Sequence, residues 1–209
     1  MIPKRIHFIW IQGRNNILPE YRHCVDSWAP MHPDWEIIVW DRETLPKLMN
    51  DWVWELDNPT LQCDIARIEV VHAYGGVYFD ADTECLKPID DLVGDLDAFV
   101  SMRNRMVVEN SAFGATPEHP WLKDMLMLLE SEQQKIRRVL DIDRVILKNV
   151  KNHPELTVLP FHVFNTGNSE RDRVELHHKA HAIHHRFSLW MKDDERYVEF
   201  YKQAEGVTR

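Results

Sequence analysis

The segment "NPTLQCDIARIEVVHAYGGVYFDAD" (residues 58–82) predicts a helix, a turn and a strand in direct succession. Asn58 followed by Pro59 is a favourable helix start, because Asn caps free backbone N–H groups and Pro suits the first helical position. Gly75 and Gly76 can adopt the left-handed backbone that ends a helix. The apolar run from Val77 then predicts a buried strand that ends in aspartates. This order is typical of an α/β domain.

Short apolar runs predict further strands on both sides of this segment. They lie at residues 5–11, 35–41 and 97–102, with extended segments expected at 107–115 and 155–164. Helices are expected to start near Pro117 and to cover 193–205. No linker-like or repeated stretch divides the sequence. The pattern therefore predicts one α/β domain over 1–209, with a mostly parallel, Rossmann-like central sheet flanked by helices.

The composition excludes several classes of protein. The chain has 209 residues, 44% of them hydrophobic, and a net charge of −9 at pH 7. An acidic chain is a poor candidate for a nucleic-acid binder, which needs a basic face for phosphates. Its three cysteines are widely spaced and form no CxxC motif, which disfavours a disulfide framework and a structural zinc site. The N-terminal residues do not resemble a signal peptide, and no apolar run is long enough to predict a membrane span.

The carboxylates at the end of the predicted strand indicate a metal site. Alternate residues of a strand share one face, so Tyr78, Asp80 and Asp82 are expected to point the same way. Two adjacent carboxylates repel each other unless a cation lies between them. Oxygen ligands suit Mg²⁺ or Mn²⁺, which bridge carboxylates to substrate phosphates. The alternative is a polar turn in which Asp and Thr serve only turn formation.

The preceding helix carries a charged pair, Asp64 and Arg67, three residues apart and therefore on one face. This pair is either a surface ion pair or part of a polar site. Much of the helix is apolar, which predicts that it packs on the sheet. A charged pair on a packed helix that leads into the aspartates favours the second interpretation.

The residues named so far resemble a known family. "CDIARIEVVHAYGGVYFDADTECLKPID" (63–90) is similar to the signature of the DxD sugar-binding glycosyltransferases of family 32. That family includes yeast-type initiating mannosyltransferases and bacterial capsular sugar transferases, and the glucosyltransferase domain of large clostridial toxins is a distant relative. The resemblance implies a GT-A fold and a catalytic site formed by Asp64, Arg67, Asp80 and Asp82. It implies that Asp80 and Asp82 bind Mn²⁺ or Mg²⁺ and that Asp64 and Arg67 bind sugar hydroxyls.

Two further segments resemble donor-binding parts of the family. "PKRIHFIW" (3–10) is similar to the opening strand, where Ile9 and Trp10 are expected beside the nucleotide base. The alternative for Trp10 is a core tryptophan. The resemblance also implies that Tyr78 supports the ribose or sugar. "ENSAFGATPEHPW" (109–121) implies that Asn110 binds the donor sugar, with a turn asparagine as the alternative.

A third segment, "AIHHRFSLW" (182–190), resembles the C-terminal part that closes over the diphosphate. It implies His185 as a third metal ligand, with Ser188 and Trp190 at the metal or phosphate. The family often has Ser directly before Trp, whereas Leu189 intervenes here, as in the toxin-like pattern. The register is therefore open, and His184 is the alternative to His185.

The resemblance implies transfer of a hexose or deoxyhexose from a nucleotide-diphospho-sugar to a glycan hydroxyl, with retention at the anomeric carbon. UDP-sugars are favoured and GDP-mannose also fits. The donor-binding half is expected at about 1–120 and the acceptor half at about 121–209, with one part of a longer polypeptide as the alternative to a single-domain protein. We expect a cytoplasmic protein of bacterial or viral origin, without nucleic-acid partners.

Two other functions stay open. One is a phosphatase of the haloacid-dehalogenase type, in which the first Asp of DxDxT is a covalent nucleophile. Here Thr83 follows Asp82 directly, and Glu84 occupies the position expected for Thr. The other is a non-catalytic module that binds nucleotide-sugars or carbohydrates, since a fold alone does not establish activity.

Overall fold

The computed structural model describes residues 1–103, 107–164 and 177–187. The strands are β1 (Arg5–Ile9), β2 (Glu36–Trp40), β3 (Gly76–Phe79), β4 (Thr83–Cys85), β5 (Ala98–Met102), β6 (Val108–Ala115), β7 (Thr157–Leu159) and β8 (Ala182–His184). The α-helices are α1 (Pro19–Asp26), α2 (Trp28–Met31), α3 (Pro59–Tyr74), α4 (Asp90–Val93), α5 (Pro120–Glu132) and α6 (Val139–Lys151). Short 3-10 helices lie at Arg14–Asn16, Asp51–Glu55, Gln133–Lys135 and His177–Lys179.

The central sheet has six strands in the order β2-β1-β3-β6-β5-β7. The β1–β2, β1–β3 and β5–β7 pairs are parallel, whereas β6 pairs antiparallel with both β3 and β5. Five strands therefore share one direction and β6 alone in this sheet is reversed. The predicted mostly parallel sheet is confirmed.

Two apolar layers cover the two faces of the sheet. On one face Tyr78 and Phe113 pack with Ile65 of α3, Leu126 of α5 and Ile146 of α6. On the other, the core includes Val77 and Phe79 of β3, Trp28 of α2 and Val93 of α4. All four residues of β3 are buried, as expected for a strand covered on both faces.

The predicted start of α3 is confirmed. Asn58 Oδ1 accepts hydrogen bonds from the backbone N–H groups of Thr60 (2.9 Å) and Leu61 (3.4 Å), and Pro59 is the first helical residue. An N-cap of this kind contributes about 1 kcal/mol. The cap fixes where the helix begins, and with it the positions of Asp64 and Arg67 along the helix.

The end of α3 depends on Gly75 and Gly76. Gly76 has φ 109°, and a Cβ there would lie 2.7 Å from the Arg5 carbonyl oxygen and 2.8 Å from His7 Nε2. The buried His7 ring donates from Nε2 to the Gly75 carbonyl (2.8 Å) and accepts at Nδ1 from the Trp40 indole (3.1 Å). The turn between α3 and β3 is thus held against β1 by a neutral histidine.

Several boundaries differ from the sequence prediction. The expected strand at 155–164 is shortened to β7, and α1 and α6 were not predicted. The predicted helix at 193–205 lies outside the described residues. None of the helices in the described ranges is long and apolar enough to cross a membrane. The division into donor and acceptor halves stays a prediction.

Candidate active site

The DxD aspartates lie in a tight turn beyond β3. The strand ends at Phe79, and the turn is closed by the Thr83 N–H, which donates to the Asp80 carbonyl at 2.9 Å. The prediction that the strand extends to residue 82 was therefore wrong at its end. The backbone of Asp80 is held by β6, since its N–H donates to the Ser111 carbonyl at 2.9 Å.

Asp80, Asp82 and His184 form a compact cluster. One potential ligand atom from each lies within 4.8 Å of the other two. His184 Nε2 is 3.1 Å from Asp82 Oδ1 and 3.7 Å from Asp80 Oδ2. The two-stranded β4–β8 sheet brings them together, because Thr83 pairs with His184 across the strands.

His184, the alternative considered from the sequence, occupies the position expected for His185. The His185 Nε2 atom lies 2.8 Å from Glu84 Oε2, and its backbone N–H donates to the Asp82 carbonyl at 2.9 Å. His184 is the last residue of β8 and His185 follows it; their rings have different partners, and only the His184 ring lies against the aspartates.

The cluster fits a divalent cation. Two carboxylates and one imidazole provide hard oxygen donors and one nitrogen, a set that suits Mn²⁺ and related ions. Asp82 and His184 are also constrained: Asp82 Oδ2 accepts from the Phe187 N–H at 3.0 Å. Three protein ligands leave coordination positions for a diphosphate.

The electrostatics of the cluster are those of a charged triad. Burial raises the pKa of Asp80 above its usual value, although Arg67 opposes this. Burial also acts to raise the pKa of Asp82, but His184 and the Phe187 N–H outweigh it and hold that pKa below its usual value. The carboxylates likewise raise the pKa of His184 against the effect of burial.

Arg67 links the helix to the DxD turn. Its side chain is 6% exposed, and its guanidinium lies 2.7 Å from Asp64 Oδ1 and 3.0 Å from Asp80 Oδ1. It also donates to the carbonyls of Asn110 (3.1 Å) and Cys63 (3.3 Å). The predicted Asp64–Arg67 pair is therefore a buried link, and the guanidinium restrains carboxylates.

Tyr78 acts on the same carboxylate. It is 2% exposed, its hydroxyl donates to Asp80 Oδ1 at 2.9 Å, and the Arg67 guanidinium lies 4.7 Å from its ring centre. The contact with Asp80 differs from the ribose or sugar contact expected for Tyr78. Asp80 is thus held by Arg67, by Tyr78 and through its own backbone.

Asp64 and Asn110 carry buried polar atoms that suit a sugar. Within the described ranges, neither Asp64 Oδ2 nor Asn110 Nδ2 has a hydrogen-bond partner of good geometry. Burial raises the pKa of Asp64 to about 7, against the opposing effects of Arg67 and the nearby Asn110 amide. Buried polar groups of this kind cost free energy until a partner satisfies them. An acceptor and a donor side by side match the hydroxyl groups of a sugar.

The residues predicted at the nucleotide lie at the end of β1. Ile9 is 4% exposed and packs in the core, so any contact with a base would come from its backbone. Trp10 is half-buried, its ring packs edge-on against Tyr21 at 4.9 Å, and its Nε1 atom has no partner among the described residues. The Phe187 ring also packs edge-on against Tyr21, with ring centres 5.1 Å apart. Ser188 and Trp190 lie outside the described residues.

Two further acidic residues lie near the site, and one of them, Asp143, was not predicted from the sequence. Glu109 is 9% exposed and lies 3.9 Å from Arg103 and 3.8 Å from Arg186. Burial raises the pKa of Asp143 on α6 to about 6, with Arg103, Glu109 and Arg67 as its charged neighbours. Asp143 shares one face of α6 with the apolar residues Val139, Ile146 and Val150. A charged residue on an otherwise apolar helix face is the sequence pattern that could have identified it.

Known proteins match both the sequence and the fold. Residues 19–99 match the family model described as "Glycosyltransferase sugar-binding region containing DXD motif". Inositol phosphoceramide mannosyltransferase 1 of Schizosaccharomyces pombe is 32% identical over 131 residues. That match covers 58% of this chain and 40% of the relative, so the chain spans well under two thirds of that protein's length.

Solved glycosyltransferases share the fold. The PaToxG glycosyltransferase superposes with a TM-score of 0.59 at 19% identity, over 74% of this chain and 70% of that chain. A glycosyltransferase involved in glycosylation of the major capsid of PBCV-1 has a TM-score of 0.58 at 10% identity, over 86% and 92%. At these identities the likeness establishes the fold alone, which is GT-A, as the sequence predicted.

Proposed function

Residues 19–99 match the family of glycosyltransferases with a DXD sugar-binding region, and we propose that the chain is a member that transfers a hexose or deoxyhexose from a nucleotide-diphospho-sugar to a glycan hydroxyl. The observation that carries the proposal is the Asp80, Asp82 and His184 cluster beside the buried Asp64–Arg67 pair. The cluster would hold the metal ion that binds the diphosphate, and the pair beside it would provide polar contacts to the sugar.

Each residue has a defined role in this proposal. Asp80, Asp82 and His184 would hold Mn²⁺ or Mg²⁺, which when bound neutralises the diphosphate and stabilises the leaving group. Arg67 and Tyr78 hold Asp80 in place, so the turn is preorganised before ligands bind. Asp64 and Asn110 would orient the donor sugar through its hydroxyls. Trp10 would contact the base.

Two donors are candidates, a UDP-sugar and GDP-mannose. Trp10 and the Ser188-Leu189-Trp190 pattern resemble those of UDP-using relatives, which favours UDP-sugars. The name of the S. pombe relative specifies a mannosyltransferase, which supports mannose as the transferred sugar and GDP-mannose as its donor. That relative's name also specifies inositol phosphoceramide, so a hydroxyl of a lipid-linked inositol belongs among the acceptors to be tested.

We further propose retention at the anomeric carbon, which the family resemblance implies. Among the described residues, the buried Glu109 and the half-buried Asp143 are further carboxylates near the site besides the cluster and Asp64. Proton NMR of the first product formed distinguishes the two stereochemical courses. An inverted anomer would overturn retention while leaving the transferase proposal intact.

Thermal-shift titration is the first test of the function. UDP, GDP and CDP are each added with and without Mn²⁺, since a ligand of the folded state raises the melting temperature by mass action. We expect a shift with one nucleotide that requires Mn²⁺ and disappears in Asp82→Asn. The exposed Asp95→Asn variant, which makes the same chemical change elsewhere, should respond as the wild type does.

Two results would contradict the proposal in different ways. Metal-dependent nucleotide binding without donor hydrolysis or transfer would indicate the non-catalytic binding module. No metal-dependent shift with any nucleotide, together with a trapped aspartyl-phosphate, would indicate the phosphatase.

A further inference from the structure

The β4–β8 pairing decides which histidine meets the aspartates. Each strand has three residues, in the register Thr83–His184, Glu84–Ile183 and Cys85–Ala182. Because side chains alternate along a strand, a slip by one residue would exchange His184 and His185. Backbone hydrogen bonds continue the pairing on both sides, from the His185 N–H to the Asp82 carbonyl (2.9 Å) and from the Leu86 N–H to the His181 carbonyl (2.8 Å). A strand of three residues still offers few such bonds, so a side-chain contact can add to the preference for the observed register over the slipped one.

Glu84 occupies the central position of β4 and holds the second histidine. Its Oε2 atom accepts from His185 Nε2 at 2.8 Å, and its Oε1 atom lies 3.7 Å from Nε2 of His23 on α1. The Glu84 and His185 side chains are 27% and 31% exposed, so the contact is only partly screened by water. His185 also stacks on Phe187, with ring centres 5.2 Å apart. His185 therefore has a site of its own, separate from the metal cluster.

We propose that Glu84 is a positioning residue that selects His184, rather than His185, for the metal cluster. By retaining His185, Glu84 fixes the β4–β8 register and directs His184 Nε2 toward Asp80 and Asp82. Its link to His23 anchors this register to α1. The inference rests on the proposed function for its metal, but the register itself is a property of the protein alone.

The first experiment measures Mn²⁺ affinity by electron paramagnetic resonance on the full chain. In the wild-type background, His184→Ala should weaken Mn²⁺ binding roughly 10- to 100-fold and His185→Ala should change it little. In the Glu84→Ala background we expect Mn²⁺ affinity to depend on both histidines, so that His185→Ala also weakens Mn²⁺ binding. Glu84→Gln, which keeps an acceptor for His185, should restore the wild-type pattern. Glu20→Ala, an exposed charge change on α1, is the matched control.

The second experiment needs no metal. In NMR spectra of the metal-free protein, cross-strand contacts between Thr83 and His184 should be present in the wild type and weakened or replaced in Glu84→Ala. Unchanged contacts and unchanged histidine dependence in Glu84→Ala would overturn the inference. If the wild type does not bind Mn²⁺, with or without nucleotide, the proposed function fails, while the NMR comparison still decides the role of Glu84.

Discussion

The two halves of the candidate site are built in different ways. The local half consists of Asp64, Arg67 and Asp80, which lie on consecutive elements and are tied by buried contacts of 2.7 and 3.0 Å. The remote half consists of Asp82 with His184 and Phe187, and the Phe187 N–H reaches Asp82 across 105 residues of sequence. The first is fixed by helix geometry and core packing, the second by a short strand pairing.

This difference predicts which property a substitution in each half should affect. A buried charge network that loses one member leaves the others uncompensated, so changes in the local half should lower the free energy of unfolding. The remote half depends on a short strand pairing, so changes there should lower metal binding and turnover more than stability. The following predictions test that separation, from the largest expected effect to the smallest.

The largest effect is expected from Asp82→Asn, in the remote half. The amide removes a charged metal ligand, and loss of groups that support a metal already costs about 10- to 100-fold, so turnover should fall by at least ~100-fold. Donor turnover and circular dichroism are measured together. Full activity would exclude Asp82 from the metal site. An unfolded variant would show that Asp82 stabilises the fold, as the residues of the local half are expected to do.

Arg67→Ala should break the local half. It leaves the buried Asp64 and the partly buried Asp80 without their cation, which should cost about 4 kcal/mol of unfolding free energy. Urea denaturation measures the loss. Arg144→Ala removes an arginine whose side chain is 72% exposed and paired with Asp141, and should cost about 1 kcal/mol or less. Equal losses in the two variants would show that the buried network adds no special stability.

Acid should loosen the turn that leads into β3. Burial lowers the pKa of His7 to about 4 from the ordinary 6.5, so its contribution is present above pH 6.5 and is lost as the pH falls toward 4. His7→Gln removes this titration. The stability advantage of the wild type over His7→Gln should shrink by about 3 kcal/mol between pH 7 and 4.

The comparison with a variant matters here because burial raises the pKa of Asp64 to about 7, which acts in the opposite direction over the same pH range. That effect is common to both proteins and cancels in the difference. Urea denaturation at several pH values provides the measurement. A stability difference that stays constant with pH would show that His7 is not held neutral.

The smallest effect is expected from Tyr78→Phe, which removes one hydrogen bond to Asp80 and keeps the ring in the core. Hydrogen bonds to charged groups contribute about 1.5–3 kcal/mol, so a loss of roughly 2 kcal/mol is expected, with activity retained at a reduced level. Tyr74→Phe, at a partly exposed position stacked on Trp40, is the control and should be nearly neutral. A loss of activity as large as that of Asp82→Asn would indicate direct ligand contact.

The local half was largely predictable from sequence. The spacing of Asp64 and Arg67 puts them on one helical face whatever the tertiary structure, and the Asn58-Pro59 start and the glycines at the end set the length of α3. The DxD aspartates follow β3 directly along the chain. Such features depend on contacts between residues that are close in sequence, which local patterns describe well.

The remote half was not decided by sequence for an equally physical reason. Whether His184 or His185 meets the aspartates depends on the register between β4 and β8, and two adjacent histidines carry no local signal for it. Asp143 was missed because α6 was not predicted, so its position beside Glu109 and Arg103 had no context. Both cases require knowledge of which distant segments pack together.

The reversed strand β6 has a consequence for how such a pocket can diversify. Ser111, in the middle of β6, accepts from the Asp80 N–H, while Ala115 at the end of β6 pairs with Gly76 at the start of β3. The Val108 end of β6 therefore lies on the side of the sheet that carries the DxD turn, and the Ala115 end lies on the opposite side. Changes in length at the Val108 end can alter the surroundings of the site without altering a DxD residue.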